Sequence, residues 1–354
     1  MFGKMKKVSI LLLILTVFLF AGCMKKTHEF QKPEPLPKAT RSESGPVKTN
    51  YTVTMIAKSS TNPVFLSAKK GAEDAAKYLS NKLGININID WRTPETEDVN
   101  KQIENIVGAV NDKTDAILIS CSDSEKLKNT IDEAVEKGVP VMTFDSDSPL
   151  SKRFAFYGVN NQKTGEIVMR ELCSALKGKG NVAILTGNKD ALNLKDRVNG
   201  AKKAALKYKG IKVIGVYDTI ENSQDSTDLV IKVNKENPKI NGWAMLGGWP
   251  LFSDTLLNTL DPSRIKIVAV DALPQELAYI ENGISPALLA QPTYKWGYVS
   301  MGLIIDKIYL KKDVNTINQM ELIRVSKENL GEWARQLKDW GFTDIPGKYL
   351  EMNN

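Results

Sequence analysis

Pro140-Val141-Met142-Thr143-Phe144-Asp145-Ser146-Asp147-Ser148-Pro149 is the stretch on which the fold turns. Its apolar run, Val139 to Phe144, has the length and composition of a buried strand. The run stops abruptly at two carboxylates, two serines and a proline. In an open parallel α/β sheet, ligands sit beyond the carboxyl ends of the strands, so such a cluster is a candidate site. The same residues also read as a solvated turn, because Asp, Ser and Pro are turn formers. What favours the site is that several other strands of this chain end in the same way.

Upstream, Tyr51 to Ala57 alternates apolar and polar residues and predicts a first strand. Asn62 caps the following helix, with Pro63 at its first position. Phe65, Ala68, Ala72, Ala75, Leu79 and Leu83 fall on one helical face, closed by Gly84. Ile85 to Trp91, Ala116 to Ser120 and Val139 to Phe144 predict further strands, separated by amphipathic helices through Val99–Val110 and Leu127–Val135. That βαβαβαβ rhythm predicts a parallel sheet with helices on both faces.

After a short strand, Phe154 to Tyr157, the rhythm restarts. Helices over 161–177, 193–208, 224–236, 250–260 and 274–282 alternate with strands Val182–Thr186, Ile211–Tyr217, Trp243–Leu246, Ile265–Val270 and Ala287–Ala290. A long helix, Tyr294 to Tyr309, a strand Met320–Val325 and a last helix, Glu328 to Trp340, complete the chain. Leu330, Trp333, Leu337 and Trp340 share one face of that last helix. Two α/β units in tandem predict two doubly wound lobes with a cleft between them.

The strand ends supply the candidate ligand-binding residues. The first lobe offers Asn62, Phe65, Trp91, Arg92, Asp145 and Asp147, and the second Asn188, Asp190, Arg197, Trp249, Asp271 and Gln291. Carboxylates, amides and an Arg satisfy a vicinal diol, whose hydroxyls each donate once and accept twice. Aromatic rings offer flat apolar faces to the C–H side of a sugar ring. The blander readings are that Asn62 only caps a helix, Arg92 is a surface charge and Trp91 is a core ring.

These motifs resemble the ribose-type, or type I, periplasmic sugar-binding proteins, solute receptors of bacterial ABC importers. The likeness runs from about Tyr51 to Val325. Ser60-Thr61-Asn62-Pro63-Val64-Phe65 is similar to that family's Asn-Pro-Phe-Phe turn, and Pro140 to Asp145 to its Pro-Val-x-x-x-Asp strand. Gly158-Val159-Asn160-Asn161 with Gly165, and Ala290-Gln291 through Gly297, resemble its crossings between lobes. Arg197-Val198-Asn199-Gly200 and Val268 to Asp271 resemble two further ligand-contact motifs. The resemblance implies contacts from Asn62, Phe65, Asp145, Arg197, Asp271 and Gln291. It also implies a three-strand hinge near 155–160, 290–293 and 315–320, which places 51–157 plus 292–315 in the first lobe. Residues 158–291 plus 316–326 fall in the second, and 327–354 form a helical extension. The chain departs from ribose-type members at Asp145-Ser146, where they carry Asp-Arg, at Gly247-Gly248-Trp249, where they carry Asn-Asp, and at Val64, where a stacking Phe is usual. Trp91-Arg92-Thr93-Pro94 and Phe144-Asp145-Ser146-Asp147 look more like the branch holding rhamnose and autoinducer-2 receptors.

The amino terminus reads separately. Lys4, Lys6 and Lys7 precede an apolar run, Val8 to Phe20, too short to span a bilayer, and 1–22 reads as a signal peptide. Leu19-Phe20-Ala21-Gly22-Cys23 resembles a lipobox, which implies lipidation of Cys23 and extracytoplasmic anchoring to a bacterial membrane, at the cell surface or in the periplasm. From His28 to Asn50 the chain is polar and lacks an apolar period, so 23–50 reads as a lipidated Cys and disordered tether.

The 354 residues suffice for two lobes, and 42% apolar with 25% charged residues is ordinary for a globular protein. Loss of residues 1–22 removes three lysines, which lowers the net charge from +7 to +4. That mild excess argues against a nucleic-acid partner. Cys121 and Cys173 read as two buried thiols or, in an exported chain, as a disulfide. The single histidine, His28, lies in the tether, which disfavours His-based catalysis and a His-ligated metal. The expectation is therefore a monomeric binding protein without cofactor or catalytic residues, serving ABC permease subunits. The alternatives are a ligand-sensing subunit of a membrane sensor kinase, and a glycosidase built on Asp145 and Asp271.

Overall fold

The computed structural model describes residues 48–353. The leader, Cys23 and the tether up to residue 47 lie outside them. The first lobe is laid down as β1 (Asn50–Ile56), α1 (Pro63–Leu83), β2 (Asn86–Trp91), α2 (Val99–Asn111), β3 (Ala116–Ile119), α3 (Ser124–Glu136), β4 (Val141–Phe144) and β5 (Ala155–Gly158). The second follows as α4 (Asn161–Ala175), β6 (Lys179–Thr186), α5 (Leu192–Ala205), β7 (Gly210–Asp218), α6 (Ser223–Glu236), β8 (Ile240–Met245), α7 (Thr255–Thr259), β9 (Lys266–Val270), α8 (Leu277–Asn282) and β10 (Leu288–Ala290). Then α9 (Thr293–Ile308) and β11 (Ile317–Gln319) return to the first lobe, and β12 (Ile323–Val325) to the second. The chain closes with α10 (Leu330–Asp339) and α11 (Gly347–Leu350).

Local chemistry explains the element borders. Asn62, Asp98 and Asp123 accept first-turn backbone N–H groups of α1, α2 and α3, and Gly84 ends α1 at φ 66°, a left-handed conformation that glycine adopts without a Cβ penalty. Each lobe holds one six-stranded sheet, ordered β11-β5-β4-β3-β1-β2 and β12-β10-β9-β8-β6-β7. All pairings are parallel except β10–β12. The α/β expectation of two doubly wound parallel-sheet lobes holds, with one antiparallel edge.

Two details differ from the periodicity. Met320–Val325 is not one strand. Ile317–Gln319 pairs with β5 and Ile323–Val325 with β10, so residues 316–319 extend the first sheet instead of beginning in the second lobe. The helix expected over 250–260 is a 3₁₀ turn at Trp249–Leu251 followed by the short α7. The chain passes between the sheets three times, at 159–160, 291–292 and 320–322.

The lobes repeat one packing device. A Cβ added to Gly71 on α1 would collide with the Tyr294 carbonyl, and one on Gly297 of α9 with the Ala68 carbonyl. In the second lobe, a Cβ on Gly165 of α4 would collide with the Arg197 carbonyl, and one on Gly200 of α5 with the Gln162 carbonyl. The spacing is shared: Gly71 and Gly200 stand eight residues after Pro63 and Leu192, while Gly165 and Gly297 stand four after Asn161 and Thr293. Reciprocal glycines thus let backbone meet backbone where each crossing helix docks.

The carboxy-terminal helices touch both lobes. The Trp333 indole donates to the Ala272 carbonyl at 2.7 Å, while Trp340 stacks on Tyr294 with centroids 5.8 Å apart. Cys121 and Cys173 are unpaired thiols, one buried in each lobe.

Candidate functional site

Parallel strands deliver their carboxyl ends to one edge, and there the two lobes face each other. Asp145 follows β4 and Asp271 follows β9, the equivalent strands of the two sheets. Both have positive φ, 56° and 80°. Side chains other than glycine adopt this left-handed region at a cost, with Asp among the most tolerant, and such strain gathers at functional sites. Here it aims two buried carboxylates into the cleft.

The cleft contains a cavity of about 30 Å³ lined from both lobes. Of the twelve residues expected from the sequence, seven line it: Asn62, Phe65, Asp145, Arg197, Trp249, Asp271 and Gln291. Arg197 is the hub. Its Nε donates to Asn161 Oδ1 at 2.9 Å, Nη1 to the Leu246 carbonyl at 2.9 Å and Nη2 to Gln291 Oε1 at 2.8 Å. Gln291 Nε2 in turn donates to Asp271 Oδ1 at 2.9 Å. Burial raises the pKa of Asp271, against the opposing pull of the Gln291 hydrogen bond and the Arg197 charge. Trp249 can lie over the site because Gly247, beneath its ring, has no Cβ to clash with it.

The other five are engaged elsewhere. Asp147 is gripped by Arg153 through two bonds of 2.6 Å and accepts from Thr143, wholly within the first lobe. Arg92 bridges Asp90 and Asp112 at 2.6 and 2.8 Å. Trp91 packs on the first-lobe core with the Lys69 ammonium 5.6 Å from its ring centroid. Asp190 is exposed. Asn188 ties the lobes together, donating to Glu97 Oε1 at 3.0 Å and to the Ser122 carbonyl at 3.2 Å.

Sequence reasoning missed Lys58, Asn193, Glu221 and Trp296, all of which line the cavity. Lys58 and Glu221 stand just past the ends of β1 and β7, so the rule that found Asp145 could have found them. Asn193 and Trp296 sit on helices and leave no such signal. Lys58 is buried and donates across the cleft to Asn193 Oδ1 at 3.2 Å. Asn193 Nδ2 donates to Asp145 Oδ1 at 3.2 Å, and Ser120 Oγ to Asp145 Oδ2 at 2.8 Å. Burial would lower the Lys58 pKa, yet the attraction of Glu97, Asp145 and Glu221 raises it, so the ammonium stays charged. Glu221 is pushed up to about 7, chiefly by burial, with the Lys58 charge opposing and the Glu97 charge adding to the rise. Burial, then the neighbouring Asp271 charge, also lifts Glu276 well above the usual carboxylate range.

About 30 Å³ is the room of one water, far below the several hundred typical of a small-molecule site. The bonds of Lys58 and Asn188 join the lobes across the cleft, and as the lobes stand a sugar-sized ligand does not fit between them. No group of side chains suited to a metal ion is found among the described residues. Nor is any helix among them long and apolar enough to cross a membrane.

Comparison with known proteins bears on this geometry. The family model described as periplasmic binding protein domain matches residues 53–312. The chain is similar to the ribose import binding protein of Bacillus subtilis, 29% identical over 196 residues, covering 55% of this chain and 59% of that one. It is also similar to the D-allose-binding periplasmic protein of Escherichia coli, 24% identical over 266 residues, covering 71% and 83%. Among solved structures, an ABC transporter solute-binding protein from Burkholderia graminis in complex with D-arabinose superposes with a TM-score of 0.74 at 25% identity, covering 80% and 98%.

Proposed function

This chain belongs to the periplasmic binding protein domain family, in its ribose-type sugar-binding branch, and we propose that it captures a sugar or sugar-like polyol between its lobes for delivery to an ABC importer. The observation that carries this reading is the pair Asp145 and Asp271. Equivalent strands present one carboxylate from each lobe, beside Arg197, Gln291 and the rings of Phe65, Trp249 and Trp296. Ionised carboxylates accept strongly from ligand hydroxyls, each such bond contributing roughly 1.5–3 kcal/mol. The rings cover the ligand's C–H faces. Closure of the lobes about their three crossings would bury the ligand and present a surface to the permease.

Residues 48–354 should gain thermal stability with one of D-ribose, D-allose, D-arabinose, D-xylose or an inositol. At a hundred times the dissociation constant the gain is about 2.7 kcal/mol. No shift with any of them in a thermal-melt screen would count decisively against sugar capture.

The reading extends to anchoring. Residues 19–23 carry the lipobox-like pattern, so Cys23 is the proposed point of attachment to an extracytoplasmic membrane surface. Cys23→Ser should move the protein out of the membrane fraction or leave its leader uncleaved. A mutant processed and fractionated like the parent would exclude the anchor.

A further inference from the structure

The Trp296 indole nitrogen has no hydrogen-bond partner although it is buried. The residue is 1% exposed and lines the cavity together with Arg197, Asp271 and Gln291. It stacks on Phe65 with centroids 6.0 Å apart and planes 27° apart, and leans on Phe144 at the same centroid distance. Gly297, the next residue, brings α9 so close to α1 that an added Cβ would collide with the Ala68 carbonyl.

A buried N–H without a partner is unfavourable, and native proteins rarely keep one. Phenylalanine would keep a ring stacked near Phe65 without a stranded donor, at the cost of the volume the indole fills. The two other fully buried indoles for which a bond is resolved make ordinary use of theirs: Trp243 donates to Asn234 and Trp333 to the Ala272 carbonyl. Trp340 also has an unpaired indole nitrogen, but it does not line the cavity.

We propose that Trp296 is a specificity-determining residue of the ligand site, its indole N–H donating to one oxygen of the bound sugar while its ring covers the adjacent C–H face. This rests on the sugar-capture reading and deepens it. The cleft's carboxylates accept from ligand hydroxyls, and the Arg197 guanidinium is already spent on Asn161, Leu246 and Gln291. A donor without a protein partner therefore selects for a ligand acceptor at one position. A sugar lacking that oxygen leaves the N–H stranded, and the site discriminates against it.

The test uses whichever of D-ribose, D-allose, D-arabinose or D-xylose the parent binds most tightly, together with its monodeoxy analogues, measured by calorimetry. Trp296→Phe should weaken binding of the parent sugar roughly tenfold, the upper range for one neutral hydrogen bond. For one monodeoxy analogue, parent and Trp296→Phe should bind equally. Trp340→Phe, the control for an unpaired indole away from the cavity, should leave affinity unchanged. The melting temperature of unliganded Trp296→Phe measures the packing cost of the smaller ring, which affects all ligands alike and is thereby separated from the loss confined to one oxygen. If the parent binds sugar and Trp296→Phe binds it equally well, the inference falls and the receptor reading stands. If affinity falls by the same factor for every deoxy analogue, the ring alone matters and the hydrogen bond is refuted. A parent that binds neither these four sugars nor an inositol overturns the receptor reading and this inference with it.

Discussion

Arg197→Met is expected to abolish sugar binding and to destabilise the unliganded protein by about 3–5 kcal/mol, the cost of removing one partner from a buried ionic network. The guanidinium is 3% exposed and holds three acceptors from three separate segments: Asn161 at the head of α4, Leu246 after β8 and Gln291 at the second crossing. Its charge also offsets Asp145, Asp271 and Glu221. Methionine fills much of the volume but strands all of these groups at once. Arg197→Lys keeps the charge yet cannot reach three acceptors with one ammonium, so it should fall between the two. Urea unfolding of both variants checks this. A loss under about 1 kcal/mol for Arg197→Met would mean that the network is solvated instead of structural.

The second large effect concerns helix docking. Gly165→Ala and Gly297→Ala should each destabilise their lobe by about 1–3 kcal/mol or more, because the obstructing atoms are backbone carbonyls that cannot rotate aside. Gly165→Ala should also weaken sugar binding, since the carbonyl it displaces is that of Arg197 itself. Gly347→Ala is the control. Its added Cβ meets nothing, so the change should be neutral or stabilising by up to about 1 kcal/mol. Equal unfolding midpoints for Gly165→Ala and Gly347→Ala would show that the close crossing is not required.

Strand ends and glycines were legible in the sequence because each follows from short-range pattern. Asp145 and Asp271 follow apolar runs, and Gly165, Gly200 and Gly297 belong to the spacing that carried the family resemblance. What could not be read was competition among partners. Asp147 resembles Asp145 in type and position, but Arg153, six residues on, claims it with two bonds. Arg92 is likewise claimed by Asp90 and Asp112. Lys58 and Asn193 meet only when the lobes face each other, and no local periodicity encodes a contact 135 residues apart. The strand expected near 315–320 could not be assigned to the first sheet from its pattern, because Ile317-Asn318-Gln319 is a largely exposed edge strand with a single apolar residue.

The three crossings have a consequence for a chain made from its amino end. By Gly158 the first lobe has β1 to β5, yet the part of α1 that packs on α9 is uncovered, because Trp296, Met301, Ile304 and Ile305 belong to α9. The whole parallel core of the second lobe, α4 to β10, is made first. At roughly 5–20 residues per second, synthesis of that insertion occupies on the order of ten seconds. Throughout it the older half of the molecule carries an open hydrophobic seam, the kind of surface that chaperones hold and aggregation exploits. The newer half, by contrast, has both α4 and α5 in hand early and can lock its glycine crossing at once. The lobe begun first cannot close its core until the parallel core of the other has been made.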